Sequence, residues 1–123
     1  MNHMQPGDIV VRDKGPCRHL GIVINGDLVL HNTPELGEHV SSMHAFCQGK
    51  PYRVFHIPNA FRWVVLANAS RIAAYPRRYD AVSNNCDHTV TRALGQQPHS
   101  LQLALVLMLG AAAALLYLAS KTK

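Results

Sequence analysis

Acidic residues are scarce in this chain: seven Asp and Glu in 123 residues. They are unpaired along the sequence, so hydrolysis by two opposed carboxylates has no candidates. Cysteines number three, Cys17, Cys47 and Cys86. An odd, irregularly spaced set excludes a disulfide framework and favours a reducing compartment with at least one free thiol. No Gly-rich phosphate loop is present. Twelve Lys and Arg give a formal net charge of +5, but they are scattered, apart from Arg77-Arg78. Without a basic stripe and interleaved aromatics, nucleic acid is not an expected partner. There is no internal repeat and no low-complexity segment. The opening residues (MNHMQPGD) carry no positive lead before an apolar run, so no secretory signal is expected. The length suits one domain with one small core.

Hydrophobic residues are plentiful, at 48%, but unevenly spread. Residues 101–119 (LQLALVLMLGAAAALLYLA) are apolar at all positions except Gln102 and Gly110. Nineteen helical residues span roughly 28 Å, close to the hydrocarbon thickness of a bilayer. The sequence therefore predicts a single C-terminal tail anchor over 101–119, a linker over 96–100 and a soluble domain over 1–95. The domain is expected on the cytosolic side, because it holds ten of the twelve basic residues. A buried or self-associating apolar helix is the alternative, which so small a domain could not wrap. A membrane and a lipid substrate are the expected partners; oligomeric state is open.

The soluble part reads as strands first and helices after. Ile9–Val11 is a short apolar run broken at Lys14-Gly15-Pro16. His19–Ile24 and Leu28–His31 flank Asn25-Gly26, a strong hairpin signal. Glu38–Ser42 is a possible fourth strand. Ser42 is placed to cap a brief helix over Met43–Gln48. Tyr52–Ile57 alternates as a fifth strand. Residues 60–74 read as a helix whose apolar face is Phe61, Val64, Val65, Ala69 and Ile72. Cys86–Leu94 is a second helix closed by Gly95. This order predicts an α+β fold with an antiparallel sheet and packed helices.

The chemistry concentrates in Asn84-Asn85-Cys86-Asp87-His88. Cys86 opens a helix, where unpaired amides and the positive dipole end lower a thiol pKa. The same amides can donate to an oxyanion. His19 enters the first strand of the hairpin and His31 leaves the second, so the two can lie side by side, one as base and the other orienting it. His3, His39, His44, His56 and His99 read as ordinary surface or core residues. Zinc is the other reading of Cys86, His88 and His19, although no Cys-x-x-Cys spacing supports it. No cofactor is expected.

At these residues the chain resembles the lecithin–retinol acyltransferase-like branch of the NlpC/P60 superfamily of papain-like thiol enzymes. The matching stretches are Pro6-Gly7-Asp8-Ile9-Val10, Arg18-His19-Leu20-Gly21-Ile22, Leu28-Val29-Leu30-His31 and Asn85-Cys86-Asp87-His88. They span about residues 6–95 in the family's order. Asp87 stands where the family usually has Glu, Thr89 where it usually has Phe, and Leu20 where an aromatic is common. The resemblance implies a circularly permuted papain-like domain, with Cys86 as nucleophile, His19 as general base and His31 as the polar residue that orients it. Asn85, Asp87 and His88 would support them. It implies acyl transfer through a Cys thioester, as in phospholipid-directed acyltransferases and phospholipases A with a C-terminal anchor. Two alternatives stand beside it: a thiol peptidase or amidase of the same fold, and a non-catalytic membrane adaptor. Helix and linker together hold Cys86 within roughly 30 Å of the expected anchor.

Overall fold

The computed structural model describes residues 3–15 and 17–96, with Tyr117, Ser120 and Lys121. Apart from Tyr117, the expected anchor over 101–119 lies outside the described residues, as does most of the linker. Among the described residues no helix is long and apolar enough to cross a membrane.

Five strands come first, with one short helix among them. They are β1 (Ile9–Lys14), β2 (Cys17–Val23), β3 (Leu28–Thr33), β4 (Gly37–Ser42), α1 (Met43–Cys47) and β5 (Tyr52–Phe55). A 3-10 turn at Asn59–Phe61 leads into α2 (Arg62–Ala74), and α3 (Cys86–Ala93) follows. The strands form one antiparallel sheet in the order β4-β3-β2-β1-β5. The fold is α+β, as the order of patterns predicts.

Alternation along the strands sorts side chains onto two faces. Ile22 and Leu30 point to one face, where Val65, Ala69 and Ile72 of α2 and Val90 and Ala93 of α3 complete a buried cluster. Val10, Val23 and Val29 point to the other, covered by Met43, Phe46 and Cys47 of α1. His19 and Gly21 share the parity of Val23, and His31 that of Val29. Both histidines therefore lie on the α1 face, away from α2 and α3.

Local signals account for most boundaries. The Ser42 side chain accepts the Ala45 amide and starts α1. Gly95, at φ 78°, closes α3 in the left-handed region, where a side chain is strained. One expectation holds in outline and one changes. The hairpin signalled at Asn25-Gly26-Asp27 forms, with β2 antiparallel to β3, although neither Asn25 nor Gly26 has a positive φ. Asn25 instead accepts the amides of Asp27 and Leu28 through its side chain, which makes a wider bend. Phe61 is not core: it is 58% exposed, because the chain is still in the 3-10 turn there and the buried stripe of α2 begins at Val65.

The Pro6-Gly7-Asp8 stretch has a packing role. Asp8 is fully buried and its carboxylate accepts the amides of Gln5 and Ile57, with Arg62 at 2.6 Å and His56 at 2.7 Å. Burial works against the charge, but these donors outweigh it and hold the carboxyl below its usual range. The motif thereby ties the start of β1 to the start of α2.

Candidate functional site

Strands β2 and β3 pair only over Gly21–Val23 and Val29–His31. Within that short ladder His31 lies opposite Gly21, so His19 is its diagonal neighbour on the same face. The two imidazoles meet, with His19 Nε2 and His31 Nδ1 2.9 Å apart. The far nitrogen of His31 lies 2.7 Å from Ser41 Oγ on β4. Ser41 donates its own proton to the Ser42 carbonyl at 3.1 Å.

That last bond assigns the protons along the row. Ser41 Oγ accepts from His31 Nε2–H, so His31 Nδ1 is the acceptor. It takes the proton of His19 Nε2, which leaves His19 Nδ1 with a free lone pair. A base oriented through its second nitrogen is the arrangement that general-base catalysis needs.

Packing holds this row in place. Phe46 stacks on His19 with ring centroids 5.2 Å apart and meets His31 edge-on at 5.2 Å. Gly21 makes room for the Phe46 ring: an added Cβ would lie 3.0 Å from Phe46 Cε2 and 2.5 Å from Val29 Cγ1. His39, directly opposite His31 in the β3–β4 ladder, packs against it with ring centroids 4.2 Å apart and planes tilted by 48°. His39 flanks the row without joining its hydrogen bonds, since its Nδ1 meets the Gly37 carbonyl at 2.8 Å. Its register position was the available signal for its contact with His31, once β4 was paired with β3. Arg12, opposite His19 on β1, is buried and lies 5.8 Å over the Phe46 ring.

Burial, followed by the charge of the neighbouring histidine and Arg12, pushes His19 down to about 3. Burial, His39 and Arg12 push His31 down to about 4. Both rings are neutral at pH 7, the form in which His19 can accept a proton.

Cys86 reaches the same strand from the other side. Beyond Gly21, β2 has no strand partner towards β3, and α3 begins there. The Cys86 thiol contacts the Arg18 carbonyl at 3.9 Å, and the Leu20 amide also donates to the sulfur. The thiol thus meets backbone on both sides of His19. No hydrogen bond joins Cys86 to His19, so the catalytic pair inferred from the sequence is adjacent along β2 but not engaged.

The start of α3 is strongly capped. Asn85 accepts the amides of Asp87 and His88 through its side chain, and His88 Nδ1 accepts the Asn85 amide at 3.1 Å. The Cys86 amide has no hydrogen-bond partner among the described residues, which leaves it as a donor for an oxyanion. Asp87 is buried, with its carboxylate oxygen 4.0 Å from the sulfur. The expected lowering of the thiol pKa does not hold. Burial raises it, the Leu20 amide lowers it, and the Asp87 carboxylate raises it, leaving the thiol above its ordinary value. The helix start is too closely packed for the dipole alone to stabilise a thiolate.

The zinc alternative is not assembled: among the described residues no group of His, Cys, Asp or Glu has metal-binding geometry. His88 spends Nδ1 on the helix cap.

Beneath α3 lies a polar network that sequence reasoning missed. Glu38 on β4, with its side chain fully buried, pairs with Arg92 and accepts from Thr89 Oγ1 at 2.7 Å and from the Arg77 amide at 2.8 Å. Asn32 on β3 donates to the Asn84 carbonyl at 2.8 Å and to Thr89 Oγ1 at 3.1 Å. Thr89 thus anchors α3 to the sheet through hydrogen bonds. Compared with known proteins, the chain matches no family model and no curated protein.

Proposed function

We propose that the protein is a thiol acyl-transfer enzyme of circularly permuted papain-like architecture, anchored through residues 101–119, that acts on glycerophospholipid esters. The observation that carries this reading is the His19–His31–Ser41 hydrogen-bonded row on β2, β3 and β4, with Cys86 opening α3 against β2 on either side of His19. Both histidines precede the cysteine in the chain, as the resemblance to the lecithin–retinol acyltransferase-like enzymes requires.

The resting state in this reading is a neutral thiol and a neutral imidazole rather than a preformed ion pair. His19 must first approach Cys86, closing a gap that no hydrogen bond spans at rest. His19 Nδ1 then removes the thiol proton as sulfur bonds to the ester carbonyl carbon. The Cys86 amide donates to the oxyanion. As the C–O bond breaks, His19 returns the proton to the departing lysophospholipid oxygen. This leaves a thioester on Cys86, which water hydrolyses or an alcohol or amine accepts. His31 holds the His19 ring by its Nε2–H, and Ser41 holds His31.

Release of fatty acid from phosphatidylcholine vesicles by the purified full chain tests this reading. Wild type is expected to release fatty acid and Cys86→Ala to release none above background. Equal release by the two rejects a thiol lipase. Labelling of Cys86 by a peptide-based electrophile but not by an acyl-lipid electrophile would replace this substrate class with a peptide or amide.

A further inference from the structure

Three arginines converge on a cavity that the thiol reading does not use. Arg71 from the last turn of α2, Tyr75 and Arg77 from the segment after it and Arg92 from α3 line a cavity of about 350 Å³, with Asn68 and Ile72 on its wall. Among the described residues lining it, none is acidic. The nearby carboxylate of Glu38 is fully buried and committed to Arg92, Thr89 and the Arg77 amide. Of the three guanidinium groups, Arg92 is the one that pairs with this carboxylate.

The arginines are positioned in different ways. The Arg77 backbone is fixed to β4 in both directions: its amide donates to Glu38 Oε1 and its carbonyl accepts the Glu38 amide at 3.0 Å. Asn68 donates to the Ala93 carbonyl at 3.1 Å and sets the spacing of α2 and α3. Arg92 is mostly buried, and its Nε is shielded from solvent without any hydrogen-bond partner. The exposed Arg71 and Arg77 side chains offer planar forks that match phosphate oxygens.

We propose that this cavity is a binding site for a phosphate group carried as a monoester, held by Arg71, Arg77 and Arg92. The same chemistry is found in a phosphatidate headgroup and in a soluble sugar or glycerol phosphate. The site is independent of the thiol.

Binding to the full chain in dodecyl maltoside, a detergent without phosphate, tests the proposal by titration calorimetry. The probes are sn-glycerol 3-phosphate and dihexanoyl phosphatidic acid below its micelle concentration, with glycerol as the uncharged control. The expected result is saturable binding of at least one phosphate probe, none of glycerol, and at least about tenfold weaker binding by Arg71→Gln/Arg77→Gln. Both replaced side chains are exposed; if the double variant does not fold, Arg71→Gln alone is expected to weaken binding by at least about threefold. Dihexanoyl phosphatidic acid binding at least about tenfold tighter than glycerol phosphate assigns the site to a lipid headgroup, and equal binding assigns it to a soluble monoester. Failure of wild type to bind either probe, or unchanged binding by a folded arginine variant, overturns the proposal. Cys86→Ala is expected to bind as wild type does, which separates this outcome from that of the lipase test.

Discussion

Gly21→Ala couples the packing of the sheet to the geometry of the histidine row. The added methyl would lie 2.5 Å from Val29 Cγ1, 3.0 Å from the Leu30 carbonyl and 3.0 Å from Phe46 Cε2. None of these atoms ends a flexible side chain. Val29 is branched and buried, Leu30 contributes backbone, and Phe46 is a fully buried ring held between two histidines. Relief requires a shift of about 1 Å in a packed interior, and overpacking of this kind costs about 1–3 kcal/mol. At about 4–8 °C per kcal/mol for a domain this size, a cost of 2 kcal/mol lowers Tm by about 8–16 °C. Gly26→Ala is the control: its Cβ would meet nothing within 4 Å and its φ is not positive. It is expected to change stability by no more than about 0.5 kcal/mol. Thermal unfolding followed by far-UV circular dichroism, on the full chain in detergent, reads both variants. A Gly21→Ala transition within about 2 °C of wild type would refute the packing argument.

Three other perturbations probe separate parts of the structure. His19 and His31 are held at about 3 and about 4, whereas each titrates near 6.5 in the unfolded chain. Between those values the unfolded chain binds more protons, so stability is full above about pH 6.5 and falls as pH drops towards about 3. The urea midpoint should be lower at pH 5 than at pH 7, and an equal or higher midpoint at pH 5 contradicts the neutral buried pair. Glu38→Gln leaves the mostly buried Arg92 charge without its partner and should cost about 3–5 kcal/mol in urea unfolding; a loss under about 1 kcal/mol removes Glu38 as the anchor of α3. Asn85→Ala deletes the cap shared by the Asp87 and His88 amides and should cost about 1 kcal/mol; unchanged stability would show that water caps α3 equally well.

Elements and their ends were largely legible because local chemistry sets them. Ser42, Asn85 and Gly95 each act within four residues of their own position. The diagonal meeting of His19 and His31 was legible because a hairpin constrains its own register. What escaped the sequence depends on contacts between distant segments. Glu38 and Arg92 are 54 residues apart, and no local pattern marks them as partners. His39 meets His31 only through the pairing of β4 with β3. The Cys86 thiol was misjudged for the same reason: the helix-start effect is local and readable, whereas burial against β2 and the nearby Asp87 carboxylate are not.

The most direct test of the central claim is intact-protein mass spectrometry of the full chain after exposure to mixed phospholipids, with acid quenching to preserve thioesters. The account predicts a mass increase of one fatty acyl group in wild type, mapped to Cys86, and its absence in Cys86→Ala and His19→Ala. An unmodified wild-type protein, or an acyl group on Cys17 or Cys47 that persists in Cys86→Ala, would contradict it.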